Sequence, residues 1–184
     1  MDGPAIEQAV ARMIKAFGED PGREGLSGTP RRISEMYEEV FAGLKQDPFA
    51  ELAVGFEEGH TEMVILKDIP FFSMCEHHLL PFFGVVHAGY LPNGRLVGIS
   101  KIARVVEIFA RRPQLQERMT TQIAETMNSA LNPEGVAVVI RAEHLCMTMR
   151  GVKKPGTTIM TSAMRGRFQE SEVTRGEFLS LIRD

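Results

Sequence analysis

Three of the chain's seven cysteine and histidine residues stand within four positions, in the run Cys75-Glu76-His77-His78. Cys75 and His78 have the spacing of a turn or a helix, so both side chains can reach one ion while the two residues between them point elsewhere. A thiolate and an imidazole suit zinc, and such a site needs at least one more ligand. The only other cysteine, Cys146, is the obvious candidate.

The residues around Cys146 carry further chemical groups. We predict that this stretch is a strand, in which alternate residues face the same way, so that one face presents His144, Cys146, Thr148 and Arg150. Such a set is expected in the wall of an active site, because a core strand would place apolar groups there. Three protein ligands would leave the fourth zinc position open for water, as catalytic sites do. His77 and His144 would then act as base and proton donor, the alternative being that they only support the ligands through hydrogen bonds.

A second cluster indicates an anion site. Lys101 follows Ser100, which we expect to cap a helix, and Arg104 stands one helical turn after Ser100. Backbone N–H groups and the helix dipole would help these cations to hold a phosphate. Together with Arg150, the cluster predicts a polyphosphate ligand. The alternative is a solvated helix end whose long side chains reach into water.

Length and composition indicate one ordinary globular domain. The chain has 184 residues and a formal net charge of -3, which gives no general reason to expect nucleic acid or an anionic membrane as a partner. The N-terminus lacks the basic start and apolar run of a secretory signal, and no segment approaches the length of a membrane span, so we predict a cytoplasmic protein. In that reducing compartment the two cysteines favour a metal or catalytic role over a disulfide, with buried unreactive thiols as the alternative.

Three motifs of other enzyme classes are missing. The run GVKKPGTT has the glycine spacing of a phosphate loop, but Thr157 stands where that loop requires lysine. There is no G-x-G-x-x-G, which argues against a nicotinamide-dependent zinc dehydrogenase. The P-C-x-x-C run of the zinc nucleobase deaminases is also missing.

Hydrophobic periodicity predicts a helical N-terminal part over residues 1–60, with two amphipathic helices. From residue 61 onward, runs rich in Val, Ile and Phe predict antiparallel strands on both sides of a helical pair, and a short helix follows them. Strand groups separated by a helical pair indicate an α+β fold and not an alternating βαβ fold. We therefore expect one domain over residues 1–184, with the catalytic core over residues 61–184.

Five long motifs match one known family. In chain order they are SMCEHHLLPFFG, GISKIARVVEIFARRPQLQERMTTQI, HLCMTMRGV, TSAMRGRF and TRGEFLSLI. By these motifs the chain resembles GTP cyclohydrolase I, closely over roughly the last two-thirds of its length and more loosely in the N-terminal part, through TPRRISEMY. Motifs of this length and chemical content are specific, because several of them rarely agree by chance.

The resemblance implies a tunnelling fold (T-fold), in which antiparallel sheets and paired helices assemble into rings. It also implies a homodecamer of two pentamers, with active sites between subunits and with neither nucleic acid nor membrane as a partner. The implied substrate is GTP, whose imidazole ring is opened by hydrolysis. C8 leaves as formate, and rearrangement of the ribose gives 7,8-dihydroneopterin triphosphate, the entry to folate or tetrahydrobiopterin synthesis.

The resemblance also implies roles at the metal site. Cys75, His78 and Cys146 would bind Zn2+, and the metal would activate the water that attacks C8. His144 would protonate the purine at N7 and so make C8 electrophilic. His77 would assist later proton transfers.

Substrate recognition is implied in the same way. Glu117 would accept hydrogen bonds from guanine N1 and N2, with Gln116 beside it, and adenine would be rejected because it lacks this pair of donors. The ribose and triphosphate would be held by Ser100, Lys101, Arg104, Arg150 and, from another subunit, Arg32. The resemblance also implies that Glu117 and Ser100 are catalytic residues.

Two other functions stay open. A different T-fold pterin enzyme, such as a pterin synthase or a nitrile reductase, would use a three-histidine zinc site or a cysteine nucleophile without zinc. A non-catalytic, zinc-stabilised module that binds a nucleotide or pterin would need a fourth protein ligand, for which His87 is the candidate.

Overall fold

The computed structural model describes residues 1–183 of the chain. Contacts between residues divide it into two compact units, Met1–Ala42 and a larger unit that begins at Gly43. This division lies earlier in the chain than the predicted boundary after residue 60. The single domain over the whole chain stays a prediction.

The smaller unit consists of two helices, α1 (Gly3–Ala16) and α2 (Thr29–Val40). Apolar residues recur at helical spacing in α1 and bury Val10 and Ile14, as expected of an amphipathic helix. Ser34 of α2 is buried, and its hydroxyl donates to the carbonyl oxygen of the first residue of α1 at 3.4 Å. The two helices predicted for this part of the chain are confirmed.

Seven strands form two sheets in the described part of the larger unit. Their bounds are β1 (Gly55–Glu57), β2 (Val64–Cys75), β3 (Pro81–Leu91), β4 (Arg95–Val97), β5 (Pro113–Gln114), β6 (Gly135–His144) and β7 (Thr158–Gly166). β1 pairs with β4, and the main sheet has the order β5-β2-β3-β6-β7. Its neighbours are antiparallel, except that β2 and β5 are parallel. The antiparallel pairing predicted from the sequence is confirmed, except around Cys146.

Helices pack against the main sheet. Their bounds are α3 (Pro48–Leu52), α4 (Ile99–Ala110), α5 (Gln116–Leu131), α6 (Leu145–Thr148), α7 (Arg167–Glu170) and α8 (Glu172–Leu181). Ile102 of α4 and Met119 of α5 are fully buried in the main core with residues of the sheet. The predicted α+β class is confirmed as a mixed architecture of sheet and helices. None of the helices in residues 1–183 is long and apolar enough to cross a membrane.

Strand β6 is covered on both of its faces. Its even-numbered residues from Val136 to Ile140 pack into the main core with α4 and α5. Ala137 and Val139 face the other way and pack into a second cluster with α7 and α8. A strand buried on both faces reads as a continuous apolar run, which is what the sequence shows here.

The backbones of β3 and β6 approach each other closely at Gly84. A Cβ atom there would lie 1.9 Å from the carbonyl oxygen of Arg141 and 2.7 Å from the Cα atom of Ala142. Only glycine fits such a contact. Two residues away, the same register pairs Phe82 with His144.

The strand predicted around Cys146 is wrong. β6 ends at His144, and Leu145–Thr148 forms the single turn of α6, so the alternation expected as far as Arg150 does not exist. The reason lies in the neighbouring strand. β3 begins at Pro81 and its pairing with β6 ends at His144, so the residues that follow have no strand to pair with.

Candidate active site

Cys75, His78 and Cys146 meet at one end of the main sheet. β2 ends at Cys75, and the turn after it carries His78, where the N–H of Leu79 donates to the carbonyl oxygen of Cys75 at 2.8 Å. Cys146 lies in α6 directly after β6, and β3 holds β2 and β6 on its two sides. One sulfur or nitrogen atom from each of the three residues lies within 4.8 Å of the other two. The three residues chosen by their types and spacing are therefore neighbours in space.

The donor set of this group fits zinc. Two thiols and one imidazole are ligands of tetrahedral zinc sites, and three protein ligands leave one position for water. Within residues 1–183, no fourth Cys, His, Asp or Glu joins the group. Burial and the neighbouring Cys75 raise the pKa of the Cys146 thiol, while Arg150 acts in the opposite direction. A cation bound at this group would favour the ionised form of the Cys146 thiol.

His144, the last residue of β6, is held by two contacts. Its ring stacks on Phe82, with 4.5 Å between the ring centroids and 5° between the planes. Its Nε2 atom lies 2.8 Å from Oε1 of Gln116. Burial lowers the pKa of His144, while the carboxylate of Glu117 acts in the opposite direction. The ring is thus fixed in position, and its protonated form is a stronger acid than that of a free histidine.

Gln116, the first residue of α5, is 1% exposed, and its side chain is enclosed by hydrogen bonds. Its amide nitrogen lies 3.0 to 3.1 Å from the carbonyl oxygens of Ile140 and Ile159 and from the hydroxyl oxygen of Thr161. Since the nitrogen faces these three acceptors, the side-chain oxygen faces His144, and that oxygen can only accept. Nε2 of His144 is therefore the donor, which leaves Nδ1 as the unprotonated nitrogen of the neutral ring.

A second contact joins α5 to the turn after β2. Arg118 donates from both terminal nitrogens to the carboxylate of Glu76, at 2.5 and 2.9 Å. The N–H of Glu76 also donates to the carbonyl oxygen of Gln114 at 3.0 Å. The Arg118 guanidinium holds the pKa of Glu76 below its usual range. Glu117 precedes Arg118 in the chain and His77 follows Glu76. Both residues are exposed, so each can contact a ligand.

The predicted phosphate cations lie on α4, and both face a carboxylate. Oε2 of Glu51, on α3, lies 3.1 Å from Nζ of Lys101 and 3.5 Å from Nη1 of Arg104. Lys101, assisted by Arg104, holds the pKa of the Glu51 carboxyl below its usual range. The prediction that Ser100 caps this helix is wrong, because α4 begins at Ile99. Ser100 lies exposed within the first helical turn.

The other two predicted phosphate ligands lie elsewhere in the chain. Nη1 of Arg150 is 3.3 Å from Nε2 of His78, so this guanidinium lies beside the three-residue metal group. Arg32 is an exposed residue of α2, in the smaller unit. Its role at a substrate stays a prediction.

Three residues that hold the site were missed from the sequence: Glu51, Phe82 and Arg118. Glu51 precedes Lys101 by 50 positions, and Arg118 follows Glu76 by 42, so no spacing rule links either pair. Phe82 stands in an apolar run and is fully buried, so it reads as an ordinary core residue. Only the pairing of β3 with β6 reveals its place beneath His144.

Comparison with known proteins decides the family. The family model described as GTP cyclohydrolase I matches residues 6–183. The chain belongs to the GTP cyclohydrolase I family. A GTP cyclohydrolase 1 from Dehalococcoides mccartyi is 64% identical over 183 residues, which cover 98% of this chain and 97% of that protein. Proteins of the same name from Carboxydothermus hydrogenoformans and Halalkalibacterium halodurans are 60% and 58% identical, covering 99% and 100% of this chain and 95% and 98% of their own lengths.

The predicted family is therefore confirmed, and so is the prediction that the protein is an enzyme of the GTP cyclohydrolase I type. Among solved structures, the apo form of the archaeosine synthase QueF-Like matches with a TM-score of 0.42 and 17% identity. That match covers 60% of this chain and 97% of the other. A likeness this slight carries no argument, so the T-fold of this GTP cyclohydrolase I stays a prediction.

Proposed function

We propose that this GTP cyclohydrolase I binds Zn2+ and hydrolyses the imidazole ring of GTP. C8 leaves as formate, and rearrangement of the ribose gives 7,8-dihydroneopterin triphosphate, for folate or tetrahydrobiopterin synthesis. The observation that carries the proposal is the meeting of Cys75, His78 and Cys146 within 4.8 Å in a chain of this family. A cytoplasmic location is part of the proposal and stays a prediction from the sequence.

The three residues of the metal group would hold Zn2+, which supplies a Lewis acid that makes a water molecule nucleophilic toward C8. Two thiolates offset the charge of the ion, so a nearby base is useful to take the proton from that water. His77 is exposed and directly precedes the ligand His78, which supports this role. The same imidazole can later return the proton to the opened ring.

His144 would protonate N7 of the purine from its Nδ1 atom. This assignment is supported by the hydrogen bond that commits Nε2 to Gln116. The lowered pKa of His144 makes its imidazolium a stronger acid, and the nearby Glu117 carboxylate helps the ring to take up the proton that it gives away. We therefore assign Gln116 a positioning role, in place of the substrate contact expected from the resemblance.

Glu117 would recognise guanine. Its exposed carboxylate in the first turn of α5 can accept from N1–H and from the N2 amino group. Adenine offers no such pair of donors, so its binding would leave a desolvated carboxylate unpaired. Arg118, the next residue, is already occupied by Glu76 and leaves the charge of Glu117 available to the base.

The triphosphate would be held by cations from several elements. Lys101 and Arg104 lie on the first turns of α4, and Ser100 stands beside Lys101 near the ribose end. Arg150 would contact the phosphate nearest the metal group, and Arg32 would come from another subunit. Since the phosphates do not react, their binding energy would serve to position the base.

We further propose a T-fold homodecamer of two pentamers. β7 is an edge strand of the main sheet, and an unpaired edge can accept a strand from another copy. The large apolar side chains of Phe72 on β2 and Met160 on β7 are 73% and 66% exposed and would be available to contact another copy.

The alternatives are weaker on specific grounds. His87, the candidate fourth ligand of a non-catalytic zinc module, is outside the metal group, and its Nδ1 accepts from the N–H of Asp68 at 3.2 Å. A pterin synthase of the T-fold would require three histidines where this chain offers Cys75, His78 and Cys146.

Incubation with GTP tests the proposal. Formate release and pterin fluorescence are followed with the purified protein, after chelation, and after zinc is restored. We expect both signals to depend on zinc and to be lost in His77→Ala and His144→Ala. His60→Ala serves as the matched control, because His60 is exposed and lies outside the site. A folded, zinc-loaded protein that releases no formate would contradict the proposal.

A further inference from the structure

Glu51 places a negative charge where the proposed substrate requires positive ones. Its Oε2 atom contacts both Lys101, at 3.1 Å, and Arg104, at 3.5 Å. We propose that Glu51 is a built-in counter-anion that weakens phosphate binding at this cation pair and so raises the KM for GTP. The inference rests on the proposed function, because it takes these two cations as ligands of the triphosphate.

The carboxylate is held at this place by the anchoring of α3. Leu52, the residue after Glu51, is fully buried in the main core. Directly after α3, the carbonyl oxygen of Ala53 accepts from Nη2 of Arg95 at 2.6 Å. These two contacts fix the backbone on the C-terminal side of Glu51 and so hold the residue beside α4. It is therefore part of the site and not a surface residue that meets the cations by chance.

The contacts of Glu51 compete directly with those of a phosphate. Lys101 and Arg104 carry two positive charges, and Glu51 cancels one of them. A phosphate oxygen that approaches Lys101 must either replace the Glu51 carboxylate or lie beside it, and like charges at contact distance repel. The side chains of Glu51 and Lys101 are 26% and 28% exposed, so water and salt screen the effect only in part.

The expected size of the effect follows from two partly exposed ion pairs. An exposed pair changes an equilibrium constant by up to about fivefold, so we expect removal of both contacts to tighten phosphate binding roughly three- to tenfold. The change belongs to binding alone, because within residues 1–183 the Glu51 carboxylate has ion pairs with Lys101 and Arg104 alone. We therefore expect KM to fall, with kcat within about twofold of its original value.

The test compares Glu51→Gln and Glu51→Ala with the original enzyme and with Glu177→Gln. Glu177 is an exposed residue of α8, so its substitution makes the same change in net charge far from α4 in the chain. KM and kcat are measured with GTP, and the Kd of tripolyphosphate is measured by calorimetry. We expect both Glu51 variants, but not the control, to lower KM and Kd together. In a Lys101→Ala, Arg104→Ala background, Glu51→Gln should give no gain, because Glu51 acts through these two cations.

Separate outcomes distinguish failure of the inference from failure of the proposed function. An unchanged or higher KM and Kd in both Glu51 variants would overturn the inference, and a fall in thermal stability without tighter binding would reduce Glu51 to a tie between α3 and α4. An equal gain in Glu177→Gln would also overturn it, since net charge alone would then explain the effect. If the original enzyme released no formate while Glu51→Gln bound tripolyphosphate more tightly, the proposed function would fail and the role of Glu51 would stand.

Discussion

Replacing Gln116 by methionine tests the contact that holds His144. Methionine has the length and shape of glutamine but offers neither a strong donor nor a strong acceptor. The substitution therefore fills the same space and removes three hydrogen bonds: the two that the amide group can donate among its three acceptors, and the one that its oxygen accepts from the imidazole. The matched control is Gln8→Met, on an exposed position of α1.

The expected loss of stability can be worked out from these contacts. Three hydrogen bonds at about 1 kcal/mol each give a gross loss of about 3 kcal/mol. Burial of the apolar end of methionine returns about 1–2 kcal/mol. We therefore expect Gln116→Met to lower the free energy of unfolding by about 1–2 kcal/mol, and Gln8→Met to change it by less than about 0.5 kcal/mol.

The assay is urea unfolding followed by far-UV circular dichroism, because the chain has no tryptophan. Protomer concentrations must be equal, since any assembly makes stability depend on concentration. A loss no larger than that of Gln8→Met would refute the energetic reasoning. In the folded variant we also expect a lower kcat at unchanged zinc content, because His144 loses its partner. An unchanged kcat would refute the positioning role of Gln116.

Three further substitutions test other parts of the structure. Gly84→Ala should prevent folding or cost more than about 4 kcal/mol, because its Cβ would lie 1.9 Å from a carbonyl oxygen. In the control, Gly176→Ala, the new Cβ would meet no atom within 4 Å, so denaturant unfolding should show a neutral or stabilising effect. Cys146→Ser should lower zinc from about one ion per chain to near zero in elemental analysis of the folded protein, and retained zinc would contradict the ligand assignment. The effect of Glu76→Gln on stability should depend on pH. Arg118 lowers the folded-state pKa of Glu76 below 4.5. The stabilising effect of the Glu76 carboxylate is therefore complete above that pH and is lost as pH falls through the lowered pKa. Unfolding of zinc-free protein should therefore separate Glu76→Gln from the original enzyme at about pH 6, and the gap should narrow as pH falls below 4.5; a gap that widens in acid would reverse the assigned sign.

The metal group could be found from the sequence because its evidence is local and scarce. Cys75 and His78 share one turn, and a chain with two cysteines offers only Cys146 as a second sulfur ligand. Neither argument needs the fold to be known. The helices and most strands were also predictable, because amphipathic periodicity and β-branched runs report which faces are buried.

The end of β6 could not be predicted in this way. The apolar run that marks the strand stops near Ile140, and the residues beyond it have no pattern that separates a strand from a helical turn. What ends the strand is the start of β3 at Pro81, which leaves the residues after His144 without a partner. That information belongs to another part of the chain, so extrapolating the alternation to Arg150 failed.

The contacts of polar side chains could not be predicted from the sequence for a related reason. Gln116 and Glu51 look like ordinary polar residues of helices, and only the folded chain brings one to the carbonyls of β6 and β7 and the other to Lys101. A pattern of burial can predict that a side chain points inward or outward. It cannot predict which acceptor a buried amide will find, because that depends on strand register at a sequence distance of tens of residues.

The first turn of α5 is the element that relates the two halves of the metal group. Cys75 is the last residue of β2 and Cys146 lies directly after β6, and these two strands are not neighbours, because β3 lies between them. α5 contacts both segments: Gln116 binds His144 two residues before one cysteine, and Arg118 binds Glu76 directly after the other. A change in this turn therefore alters the placement of the imidazole and of the metal turn together while leaving all three ligands present. Loss of kcat with zinc retained is the expected signature of such a change, whereas substitution of a ligand removes the zinc itself.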